Sequence, residues 1–223
     1  SVINVTMNLY GHETSPPCRS VTMLLNKLGL EYTYKVVNVL EGDQLKPEFI
    51  MMNPQHTIPT LDDQGFYIHE SRAILQYLVN QYGKDSDLYP SDPKARGKVD
   101  QMLFFDIGTL FQRFLEYISP DVFEGAPLNL ERKLKLVEAM EFLDIYLGDH
   151  DFLCGDNLTI ADIAILSSVS SFKGCGYDLS AHPKLAAWFE RCIPMIPNYE
   201  TANGAGAAQF GAWMTDLIAE KLF

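Results

Sequence analysis

The sequence predicts an α/β domain built on a mixed four-stranded sheet, joined by a short linker to an all-α domain. Three observations predict it. Up to Gly83, short runs rich in Val, Ile, Thr, Tyr and Phe alternate with helical patterns. Lys84 to Pro93 carries three aspartates and two prolines and breaks that pattern as a linker does. Every periodic segment after it repeats as a helix repeats. The boundaries read as 1–83, 84–93 and 94–223.

Val2 to Tyr10 is the first expected strand. Gly11 to Thr14 interrupts it, and Ser15-Pro16-Pro17 then offers a polar cap and prolines suited to a first helical turn. Val21, Leu24, Leu25 and Leu28 carry that helix to Gly29. Tyr32 to Val39 reads as a second strand, Glu41-Gly42-Asp43 as a turn and Lys46 to Met52 as a short helix. The stretch from Asn53 to Leu61 is a shaped connection, because Pro54 and Pro59 lack the backbone N–H and fix their own φ. Leu61 ends it, Asp62, Asp63 and Gly65 make an acidic turn, and Phe66 to His69 is a further strand. Glu70-Ser71-Arg72 opens a helix carried by Ile74, Tyr77, Leu78 and Tyr82. A helical crossover makes the first two strands parallel, and a tight turn makes the last two antiparallel.

In the second half, Lys94 to Tyr117 reads as one long helix, and Leu130 to Leu147 carries a broad apolar stripe closed by Gly148. Thr159-Ile160-Ala161-Asp162 has the Ser/Thr-x-x-acid form of a capping motif, opening an apolar and therefore buried helix as far as Ser170. Pro183 to Cys192 is a short helix. From Tyr199 to Phe223 a helix is expected at the end, while Gly204, Gly206 and Gly211 argue against one in the first part.

A chain of 223 residues, 47% hydrophobic, can bury a sizeable core. Its formal charge of −12 repels polyanions, so neither nucleic acid nor an anionic membrane surface is an expected partner. No apolar run is long enough to span a bilayer, and no charged-then-apolar leader is read. Cys18, Cys154, Cys175 and Cys192 are scattered without metal-like spacing. Free thiols in a reducing compartment, the cytoplasm, and no bound metal are the expectations.

Several residues pair a chemical reading with a plain one. Ser15 stands where a serine caps a helix, and where a hydroxyl also faces whatever lies at that helix N-terminus. Glu70 and Ser71 offer an acceptor for an ammonium beside donors for a carboxylate, or merely a solvated acid and a cap. His56 is a loop histidine, and Phe111, Phe114 and Ile118 form a stripe that reads first as core and only second as pocket wall. Tyr10 reads as a strand aromatic.

Asn-Pro-Gln-His-Thr-Ile-Pro-Thr-Leu over 53–61, followed by Glu70-Ser-Arg-Ala-Ile74, resembles glutathione transferases, most closely the insect delta and epsilon classes. Ser15-Pro-Pro-Cys-Arg19 and the Thr159 to Asp162 motif extend the resemblance over essentially the whole chain. It implies a thioredoxin-like first domain that binds the co-substrate glutathione and an all-helical second domain that shapes a site for hydrophobic electrophiles. It also implies a homodimer. Ser15 would stabilise the thiolate of glutathione, with Tyr10 as the rival group used in other classes. Ile58 would pair with the cysteinyl backbone beside a cis Pro59, with Gln44, His56, Thr57, Glu70, Ser71 and Arg72 completing the glutathione site. Gln44 departs from a histidine common in delta sequences.

His12, Pro17, Val39, Phe111, Phe114, Ile118 and Phe210 would line the electrophile pocket, His12 replacing an apolar residue. Phe104 and Asp106 would lie at the contact between copies, Asp106 joining the charge network around Arg72 there. The implied reaction is attack of the thiolate on an electrophilic carbon, with dehydrochlorination or hydroperoxide reduction as side activities. The alternative is a carrier or interaction protein of the same fold that has lost catalysis.

Overall fold

The computed structural model describes residues 7–218 and 222–223, so the expected strand start from Val2 to Thr6 lies outside the described residues. Strand β1, Met7–Gly11, alternates buried Met7, Leu9 and Gly11 with half-buried Asn8 and Tyr10. Helix α1, Pro16–Leu28, starts on Pro16 and Pro17 and ends where Gly29 turns left-handed at φ 64°. Strand β2, Thr33–Val36, pairs parallel to β1.

The second strand is shorter than expected. After Val36 the chain leaves the sheet, so Val39 lies in a tight turn (Val39–Glu41) followed by another (Asp43–Leu45). Asn38 is the physical reason: its side chain accepts from the N–H of Leu40 at 3.2 Å and its own N–H donates to Asp43 Oδ2 at 2.9 Å. Those local bonds compete with the sheet ladder and win.

Helix α2, Pro47–Met52, leads into the 53–59 connection. The fully buried Asn53 holds that loop by donating to Thr57 O at 3.0 Å, Thr57 Oγ1 at 3.1 Å and Thr60 Oγ1 at 3.0 Å. The Ile58–Pro59 peptide is cis. Strands β3, Thr60–Asp63, and β4, Phe66–His69, form a hairpin whose turn residues Gln64 and Gly65 both have positive φ, 55° and 89°. The sheet order is β2-β1-β3-β4, parallel only between β1 and β2. Helix α3, Ser71–Tyr82, covers it together with α1.

The long helix expected from Lys94 is a continuous helical path in three parts: α4, Pro93–Phe105; a wide turn, Asp106–Leu110; and α5, Phe111–Glu124. Helix α6, Leu130–Leu147, follows, then α7, Ile160–Gly174, which is buried from Ile160 to Phe172 and packs against α1 and α4. Its start is fixed by Asp162, which accepts from Thr159 N at 2.8 Å, Leu153 N at 2.9 Å and Trp188 Nε1 at 2.9 Å. Helix α8 spans Pro183–Cys192.

The tail departs from the expectation in its first part. A wide turn, Glu200–Gly204, runs into α9, Ala205–Leu217, so the helix occupies the glycine-rich part, while the end over 219–221 lies outside the described residues. The glycines are there for close approach, since a Cβ on Gly211 would stand 2.0 Å from Gly174 O and one on Gly206 2.2 Å from Glu13 O. Backbone contact with α7 and with the β1–α1 loop outweighs the low helix propensity. No described helix is long and apolar enough to cross a membrane.

Candidate functional site

Between the sheet side of the first domain and helices α5 and α9 lies a cleft of about 460 Å³. Its first wall is the segment after β1, with His12, Thr14, Ser15 and Pro17, joined by Asn38, Val39, Leu40 and Ile58. Its second wall is Phe111 from α5 with Phe210 and Trp213 from α9.

Ser15 precedes α1 in the N-cap position and makes no capping bond with its side chain. Pro17 lacks the N–H that the second helical residue would offer a cap, so only the N–H of Cys18 at the third position is left to the side chain of Ser15. Its backbone is engaged, since Ser15 N donates to His12 O at 3.0 Å and Ser15 O accepts from Arg19 N at 3.0 Å. The hydroxyl thus stands in the cleft wall on a fixed backbone. Cys18, one turn on, is fully buried, and burial pushes its thiol up to about 11 although hydrogen bonding by Ser15 and the His12 backbone pulls the other way. It is therefore a protonated packing group at neutral pH. Tyr10 is not in the cleft; it packs edge-on against Phe49 with ring centroids 6.1 Å apart, and burial followed by Asp62 and Tyr67 raises its hydroxyl.

Ile58 lines the cleft, and its backbone N–H and C=O have no hydrogen-bond partner among the described residues. His56, at φ 48°, and Thr57 are exposed on the same loop, and Thr57 already accepts twice from Asn53. Glu70 is exposed with φ 69°, a left-handed conformation that a non-glycine residue rarely adopts. Ser71, only 3% exposed, begins α3, and its Oγ accepts from Arg72 Nη1 at 2.9 Å. Arg72 also donates through Nε to Asp106 Oδ2 at 2.9 Å, and its guanidinium lies 5.7 Å from the centre of the Phe111 ring. Gln44 turns inward and donates to Val39 O at 3.2 Å, so its amide N–H₂ already has a partner inside the chain.

Three expectations need correction. Asp106 was expected at a contact between copies, yet it is wholly buried and bonds Arg72 and Ser168 Oγ within its own chain. The wide turn at Asp106–Leu110 rotates it inward. Phe114 and Ile118 were expected in the cleft wall, but they are 0% and 4% exposed and lie behind it. Phe114 packs on Phe172 at 4.4 Å and Phe210 at 6.1 Å between ring centroids, so it supports the wall that Phe111 and Phe210 present. Phe104, in contrast, is 72% exposed.

Sequence reasoning left out Thr14, Pro16, Asn38 and Leu40, and it set Trp213 beside Phe210 without assigning it to the pocket. The signal for Trp213 was its position three residues after Phe210, one helical turn along the same face. Leu40 carried none, because its place depends on the chain leaving the sheet early.

The family model described as "Glutathione S-transferase, N-terminal domain" matches residues 9–86, and "Glutathione S-transferase, C-terminal domain" matches 100–194. Glutathione S-transferase D7 of Anopheles gambiae is 44% identical over 205 residues, covering 91% of this chain and 94% of the relative. Among solved structures, a delta-class glutathione transferase of Nilaparvata lugens is 44% identical with a TM-score of 0.92, covering 95% of this chain and 99% of its own. An epsilon-class glutathione S-transferase of the housefly, Musca domestica, is 41% identical with a TM-score of 0.89, covering 94% and 97%. A thioredoxin-like sheet domain, an all-helical second domain and matches across both halves have one meaning: this chain belongs to the glutathione S-transferase family.

Proposed function

We propose that this protein conjugates the thiolate of glutathione to hydrophobic electrophiles, with Ser15 as the group that stabilises the thiolate. The observation that carries this is the position of the Ser15 hydroxyl, in the wall of an apolar cleft and free of capping duty. A thiol with an ordinary pKa of about 8.5 is mostly protonated at neutral pH. A hydrogen bond donated to the anion contributes about 1.5–3 kcal/mol, and about 1.4 kcal/mol is one pKa unit. One hydroxyl donor therefore lowers the thiol pKa by about one to two units. Two prolines at the helix start leave few backbone N–H groups to do this instead.

The unpaired backbone of Ile58 receives the cysteinyl part of the tripeptide. Glu70 and the N-terminus of α3 at Ser71 receive the γ-glutamyl ammonium and carboxylate, and Arg72 with Asp106 fixes that end. His56 faces the glycine carboxylate. Phe111, Phe210, Trp213, Pro17 and Val39 exclude water around the electrophile. A second copy covers Phe104, and the four unpaired cysteines suit a reducing cytoplasm.

The test is the ultraviolet thiolate absorbance of bound glutathione against pH, in the wild type and in Ser15→Ala. A wild-type thiol pKa about one to two units below 8.5 that returns towards 8.5 in the variant is the expected result. Glutathione bound without a shift would make the protein a carrier.

A further inference from the structure

His12 is the one ionisable side chain in the cleft wall among the described residues. Its ring is oriented by Thr14, whose Oγ1 lies 2.8 Å from Nδ1 and whose backbone N–H donates to the same nitrogen at 3.4 Å. A backbone N–H can only donate, so Nδ1 is an acceptor. The proton of the neutral imidazole is then on Nε2. Nε2 has no partner among the described residues. Of the other polar residues in the wall, Thr14 is engaged by His12, and Asn38 turns its carbonyl onto Leu40 N. Ser15 is the thiolate donor of the proposed reaction. The remaining wall is aromatic, proline or aliphatic, and besides His12 its unbonded side-chain donors among the described residues are the Asn38 Nδ2 amide and the Trp213 indole N–H.

We propose that the Nε2–H of His12 is an oxyanion donor and that it selects α,β-unsaturated aldehydes and ketones as a substrate class. The inference rests on the glutathione reading. The thiolate sulfur attacks the β-carbon and a C–S bond forms. The π pair of the C=C bond shifts, and the carbonyl oxygen takes up the negative charge. Nε2–H stabilises that oxygen with a hydrogen bond that strengthens as charge develops. The α-carbon then takes a proton from water, replacing the one the thiol released, so no oxidant or reductant is required. In displacement on an alkyl halide the charge leaves on the halide, and the same donor has no oxygen to serve. The pocket therefore discriminates between electrophiles by where they put charge.

The test compares kcat/KM for an alkenal and for a primary alkyl iodide, with glutathione saturating, in the wild type, His12→Phe, His12→Gln and Asn38→Ala. Phe fills the ring volume without a donor, and Gln restores an N–H near the Nε2 position. The expected result is an alkenal-to-iodide ratio that falls about 10- to 100-fold in His12→Phe and recovers in His12→Gln. A uniform loss that leaves the ratio in place overturns the proposal, as does a ratio that falls only in Asn38→Ala. So does a thiolate pKa that moves in His12→Phe, since the histidine would then act on the sulfur. A wild type that turns over neither electrophile overturns it together with the glutathione reading, whereas turnover with an unmoved ratio overturns it alone.

Discussion

Nη1 of Arg19 donates a 2.6 Å hydrogen bond to Oδ1 of Asn203, 184 residues further along the chain. Arg19 is 2% exposed and among the described residues bonds only neutral groups, adding Asn203 O at 3.3 Å, Ser170 Oγ at 3.4 Å and Ser171 Oγ. Burial pulls it down to about 10. This one side chain ties α1, which begins beside Ser15, to α7 and to the segment that enters α9. Arg19→Met should lower stability by about 2–4 kcal/mol, because Asn203 Oδ1 and Ser171 Oγ lose their donor inside the fold. The double variant with Asn203→Ala should cost less than the sum of the singles, measured by urea unfolding.

Helix α9 reaches the cleft only because Gly211 lets it lie on Gly174. Gly211→Ala places a Cβ 2.0 Å from a carbonyl oxygen, so it should cost about 2–4 kcal/mol and displace Phe210 and Trp213. Gly97→Ala in α4 meets nothing within 4 Å and should stabilise by about 0.5–1 kcal/mol. Thermal unfolding of the two variants separates these signs.

The Cys18 thiol, raised by burial to about 11, is higher in the folded protein than in the unfolded chain. The unfolded state therefore releases its proton first as pH rises. Stability from this group is complete below about pH 9 and is lost as pH climbs towards about 11, by about 3 kcal/mol at most. Cys18→Ala should flatten the stability profile in that window. Thiol labelling at pH 8 should leave Cys18 untouched until the protein is unfolded.

Asp162 holds Thr159 N, Leu153 N and Trp188 Nε1 in a fully buried position. Asp162→Ala leaves all three donors unsatisfied and should cost about 3–5 kcal/mol. Asp162→Asn keeps one acceptor oxygen and should recover part of the loss, read as the shift in denaturation midpoint.

If a second copy covers Phe104, Phe104→Glu places a charge against it. Light scattering should then show the wild type as a dimer and the variant as a 25.2 kDa monomer with its helical circular dichroism intact.

Much of this was legible in contiguous residues. Pro16 and Pro17 against Gly29, the Thr159 to Asp162 box and the Gly65 turn are local devices that act within a turn or two of chain, although the turn falls on Gln64 and Gly65 while Asp62 and Asp63, expected in it, belong to β3. Their consequences follow wherever the segment is placed. The expectation that Ser15, Ile58, Glu70 and Ser71 act as a set came through a resemblance that spans the chain.

What tertiary structure alone decided is which side of a helix faces what. Phe111 and Phe114 share one stripe three residues apart, yet only Phe111 reaches the cleft, because α7 and α9 close over Phe114. Asp106 went inward through a wide turn that no periodicity announces, and α9 formed where propensity argued against it. Periodicity and caps are set by neighbours in the chain, whereas burial is set by elements far apart in sequence. A glycine's cost to a helix is small beside the backbone contact that only its missing side chain permits.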